Sequence, residues 1–128
     1  MSLKTKKNLI NTMLKASSEL TDIVIDLHVA SEEAKQEGNT EKATQIKKGI
    51  IKVKAKRAEL AASIDEVIVS MIEDWLSEAE SITASIEDAT TELKAIEKNI
   101  EQRKETASNV IKVIGVVDDI VELIAKFA

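Results

Sequence analysis

No proline occurs in the 128 residues, and an apolar or small side chain returns every three or four positions along nearly the whole chain. Together these features leave helices as the only extended regular structure. Nothing in the sequence forces a helix to stop, and alternating steps of four and three keep one stripe on one helical face. The first stripe is Leu9, Met13, Ala16, Leu20, Ile23, Leu27, Ala30 and Ala34. The second is Ala43, Ile46, Ile50, Val53, Leu60, Ile64, Val67 and Met71, with Arg57 at one apolar place. The aliphatic stem of Arg57 can lie along the stripe while its head reaches water. A third stripe starts one residue out of phase at Ile72. It runs through Trp75, Ala79, Ile82, Ile86, Ala89, Leu93, Ile96 and Ile100, past Arg103, to Ala107, Val110, Ile114, Val117, Val121 and Ile124.

Gly38-Asn39-Thr40 is the clearest turn. Glycine suits the left-handed residue that ends a helix, and Asn39 or Thr40 can cap the next one. The phase slip at 71/72 precedes Ser77-Glu78-Ala79-Glu80, a capping-box pattern that predicts a second turn near 74–78. Between Glu101 and Asn109 the apolar residues thin out, with Thr106 or Ser108 as possible caps, yet the stripe keeps its phase. Length decides for a break. Helices over 4–37 and 40–75 would each run ~50 Å, and one unbroken helix from 77 to 128 would run ~78 Å, overhanging them by half again. Breaking it near 105 gives pieces of ~42 and ~33 Å. The expected fold is therefore all-α, one domain over 1–128. It is an antiparallel up-down bundle of four long helices near 4–37, 40–75, 77–104 and 106–128. The alternative is a three-helix spectrin-like bundle with a long last helix.

Charge falls in blocks. Residues 1–15 carry +4, 16–41 carry −6, 42–57 carry +7, 58–92 carry −10, and the remainder is balanced, giving −5 overall. Folding the chain at Gly38 brings each block of the first helix opposite a block of opposite sign on the second, which favours antiparallel pairing. Exposed pairs of this kind select a topology more than they stabilise it.

Most chemistries are excluded by what is missing. Without cysteine there is no disulfide, thiolate site or thiol nucleophile. The single histidine, His28, has only Glu32 one turn away, and two Glu-x-x-His units for a di-iron bundle cannot be built. No calcium-loop spacing and no Gly-x-Ser-x-Gly elbow appear. The paired acids read as solvated helix faces. The expectation is no enzyme, no catalytic residue, no cofactor and no metal. Lys47, Lys48, Lys52, Lys54, Lys56 and Arg57 form a basic block, but the chain is acidic overall and only 2% aromatic. No nucleic-acid partner is expected, and the block reads as a strip that faces the first helix. No small-molecule substrate is indicated. No run of ~18 apolar residues is present to span a membrane, and the polar run 9–14 makes a poor signal-peptide core. The expected location is cytoplasmic.

The last segment, 109–128, is the most apolar. Its stripe residues Val110, Ile114, Val117, Val121 and Ile124 continue the core. A second set, Ile111, Val113, Val116, Ile120, Leu123 and Phe127, remains for another surface. Left exposed, such a patch would be unusual on a monomer. These six residues are the expected interaction surface, covered by a second copy in a symmetric homodimer or by another helical protein. The expected role is a non-enzymatic protein–protein interaction or structural module. The alternative is a membrane-active or lipid-associating bundle whose last, amphipathic helix detaches.

Overall fold

The computed structural model describes residues 3–69 and 79–127. Four α-helices fill them: α1 Leu3–Gln36, α2 Thr40–Val69, α3 Ala79–Glu101 and α4 Thr106–Phe127. The protein is an all-α four-helix bundle. The expected turn at 74–78, with its capping box, and Trp75 lie outside the described residues.

The stripes become the core. Every member of the first stripe is buried, as are Ala43, Ile46, Ile50, Val53, Leu60 and Ile64 of the second and Ile82, Ile86, Leu93, Ile96 and Ile100 of the third. Each large aliphatic side chain removed from water in this way contributes roughly 1.5–3 kcal/mol before entropy is counted. Two buried threonines beside the stripes are satisfied locally. The buried Thr12 and Thr90 hydroxyls each donate to the carbonyl one turn back, Asn8 and Ile86, at 2.8 Å.

Two turns of the same kind make two hairpins. After α1, Gly38 N–H donates to Lys35 O and Asn39 N–H to Ala34 O, with Gly38 at φ 80°. This is the Schellman arrangement, in which a left-handed residue lets the chain return to its last free carbonyls. The Asn39 side chain then accepts from Lys42 N–H at 3.1 Å and caps α2. After α3, Arg103 N–H donates to Ile100 O and Lys104 N–H to Asn99 O, with Arg103 at φ 59°. That is the same motif built on an arginine, and a residue with a Cβ pays roughly 1–2 kcal/mol in that conformation. The guanidinium offsets the cost. Its Nη1 donates to Ile100 O and Glu101 O, and its Nε donates to Glu33 at 2.8 Å. Neither expected cap opens α4. The Thr106 hydroxyl is buried without a partner, whereas Asn109 Nδ2 reaches back to Lys104 O at 2.6 Å.

The hairpins lie side by side. Helix α1 packs on α2 and α3, and α4 packs on α2 and α3, so α2 and α3 occupy opposite corners although they follow one another among the described helices. Contacts between hairpins run in parallel. Thr12 lies near Thr83, Asp26 near Glu97 and Glu33 against Arg103, while Gly49 lies against Val110 and Lys56 against Asp118. The antiparallel α1–α2 pair is present, but several of its charges face the other hairpin. Asp22 and Asp26 face α3, and Lys42, Lys48 and Lys52 face α4. Lys42 stays close enough to α1 to be felt by Glu33.

Candidate functional site

The structure divides the six residues expected to form an interaction surface. Val113, Val116 and Ile120 are in the core, Leu123 is half-buried against it, and Ile111 is 71% exposed. The Phe127 side chain lies outside the described residues. A helix at the corner of a square bundle has two neighbours, so its apolar face is about twice as wide as one stripe. One flank of α4, with Val110 and Ile114, meets α2. The flank carrying Val113 and Ile120 turns toward α3. The expectation that one chain cannot cover both sets is overturned, and with it the reason for a symmetric dimer through them. A charged residue at Ile120 would be buried without a partner. Ile111, two residues before Val113, falls on the α2 side and belongs with neither buried set. Asp118, the acid interrupting this apolar segment, is bonded to Lys56 of α2, and Lys56 also bonds Glu59. These two carboxylates hold the Lys56 ammonium above its ordinary pKa, Asp118 contributing most.

Between α2 and α4 runs an open groove enclosing about 670 Å³. Its floor is Ile46, Gly49, Val110 and Ile114. Gly49 lets the helices approach closely, since a methyl there would stand 3.0 Å from Val110 Cγ2. Lys48 and Lys52 form one wall and the exposed Ile111 the other, with Lys42 and Glu105 at one end. Lysine stems cover apolar surface while the ammonium groups stay in water.

Between α1 and α3 the chemistry is reversed. Glu19, Asp22 and Glu97 each bring a carboxylate oxygen within 4.8 Å of the others, and Asp26, Glu97 and Glu101 do the same. Glu19 is only 6% exposed, and its Oε1 has no hydrogen-bond partner; nor does the buried Oδ2 of Asp26. The close Glu19 carboxylate, and then burial, push the Glu97 carboxyl up to about 7. Burial, then the Glu97 contact, raise Asp26 as well, opposed by the charge of Arg103. At the end of this seam the bond from Arg103 holds Glu33 below its ordinary value. Only the paired acids read as solvated faces from the sequence; Glu19, which stands alone between Ser18 and Leu20, is buried. Its spacing to Asp22 and Asp26, steps of three and four, marks one side of α1. No signal in the sequence pairs that side with Glu97.

His28 is exposed. No helix among the described residues is long and apolar enough to cross a membrane. No known family model, curated protein or solved structure matches the chain.

Proposed function

We propose that the protein is a non-enzymatic interaction module that receives an acidic amphipathic helix in the α2–α4 groove. The observation that carries this reading is an apolar floor walled by Lys48 and Lys52, with Ile111 exposed at the rim. Apolar anchors at helical spacing would fill the floor, and acidic flanks would meet the lysines. A second copy is one source of such a helix, because the outer face of α1 exposes Ile25 and Val29 beside Glu32. That contact would be heterologous, joining different surfaces of the two copies, rather than a symmetric dimer through α4. A membrane-active role would require α4 to leave the core that its apolar residues complete.

Fluorescence anisotropy with two labelled helical peptides tests the reading. Both carry leucines at positions i, i+4 and i+7, one flanked by glutamates and the other by lysines. The acidic peptide should bind, weaken by roughly tenfold or more on Lys48→Glu with Lys52→Glu, and weaken on Ile111→Asp. Equal affinity for both peptides, or none for either, overturns the reading. Light scattering of the protein alone separates self-association from binding of another protein.

A further inference from the structure

The carboxylates between α1 and α3 have not been given a role by the groove on the opposite seam. The geometry points to a binding site for one hard divalent cation, of the Ca²⁺ or Mg²⁺ kind, held by Glu19, Asp22 and Glu97 and tying the first hairpin to the second. Three features carry the assignment. The donors are all carboxylate oxygens, the ligands preferred by such ions and not by the softer metals that need histidine or cysteine. Within each group of three the oxygens lie no more than 4.8 Å apart, within the reach of one Ca²⁺ ion, whose opposite ligands stand roughly 4.6–5.2 Å apart. Mg²⁺ holds its ligands more tightly, roughly 4.0–4.2 Å across, and dehydrates reluctantly.

The second feature is Glu19. An acid 6% exposed, with one oxygen wholly enclosed and unpartnered, points into the cluster rather than away from it. A buried carboxylate oxygen lacking a donor is costly unless a proton or a cation satisfies it. Third, the guanidinium at the end of the seam is already engaged. Arg103 reaches Asp26 through its field, while its Nε is bonded to Glu33 and its Nη1 to Ile100 O and Glu101 O. Glu97 belongs to both groups of three and is the central ligand.

Protons are the competitor, because a shared proton between Glu19 and Glu97 would also relieve the crowding. Calorimetric titration of the full chain with Ca²⁺, and separately with Mg²⁺, at pH 7.5 after chelator treatment tells them apart. The expected result is one ion per chain with a rise in melting temperature, Ca²⁺ binding more tightly than Mg²⁺. Glu97→Gln and Glu19→Gln should each weaken binding by roughly tenfold or more, and Glu41→Gln, on the exposed start of α2, should leave it unchanged. Both site substitutions remove a like charge, so the variants should fold, which circular dichroism checks. No heat and no change in melting temperature with either ion at millimolar concentration overturns the site in favour of protons. So does binding that survives both substitutions.

Discussion

Along the α1–α3 seam Glu19, Asp22, Asp26 and Glu97 crowd together, with Glu19 buried among them. Along the α2–α4 seam Gly49 admits Val110 to the helix surface, and the charged groups stand clear in solvent or pair as Lys56 and Asp118 do. Both seams do the same mechanical work, since each joins a helix of one hairpin to the parallel helix of the other. They differ in what holds them shut. The apolar seam gains from excluding water under any solution condition. The acidic seam carries repulsion that changes with whatever neutralises it. One bundle therefore has an unconditional side and a conditional side.

Moving a carboxylate into the apolar seam should have the largest effect. Val110 is 5% exposed and packs against Gly49, so Val110→Asp puts a carboxylate into a close apolar contact between the helices. A loss of about 3 kcal/mol or more is expected. Ile111→Asp, one residue along and 71% exposed, should change stability by less than about 0.5 kcal/mol. Urea midpoints measure both. Equal losses would mean that the seam is not dry and would erase the contrast.

Removing a carboxylate from the acidic seam should act in the opposite direction and depend on pH. The Glu97 carboxyl is pushed up to about 7 from 4.5, so the folded chain holds more protons than the unfolded chain between those values. Stability must then fall as pH rises from about 4.5 to 7 and stay low above it. Asp26, also raised, adds to the same trend. The effect of Glu33 has the opposite sign, because its pKa is lowered, but it falls below 4.5 and leaves this window clear. In chelator-treated buffer the melting temperature should drop between pH 5 and 8, and Glu97→Gln should flatten the drop and leave the variant the more stable at pH 8. A wild-type profile without slope there would show that the seam is not repulsive.

The difference between the seams also explains what could be read from the sequence. The stripes were legible because burial in a helix bundle repeats every three or four residues, and Leu9 through Ala34 follow that rule without exception. The first turn was legible because its left-handed residue is Gly38. The equivalent residue of the second turn is Arg103, whose strain is offset by Glu33 seventy positions away, so no local signal announces it. That is why residues 101–109 kept the stripe's phase yet broke the helix. The surface assigned to Val113, Val116 and Ile120 failed for a related reason. Periodicity tells which residues face inward, but not how many neighbours a helix has, and α4 has two. Blocks of charge predicted the first hairpin, although acids such as Asp26 and lysines such as Lys52 face the second one. Pairings such as Glu19 with Glu97 depend on how the hairpins are laid together, which no stripe encodes.

The smallest effects come from the glycines within helices and sharpen the account of the apolar seam. Glycine in a helix interior costs roughly 0.8–1.0 kcal/mol relative to alanine. Gly115 of α4 has open space where a Cβ would stand, so Gly115→Ala should recover most of that amount. At Gly49 the same methyl would lie 3.0 Å and 3.3 Å from the two Val110 methyls, so either α4 shifts by a few tenths of an ångström or Val110 turns. Gly49→Ala should therefore fall short of Gly115→Ala by about 1 kcal/mol. A double-mutant cycle identifies the cause. Val110→Ala removes both opposing methyls, so in that background Gly49→Ala should regain its helical advantage, with a coupling of about 0.5–1 kcal/mol. No coupling between positions 49 and 110, with Gly49→Ala as stabilising as Gly115→Ala, would mean that the helices do not need this close approach. The apolar seam would then be held by the core alone.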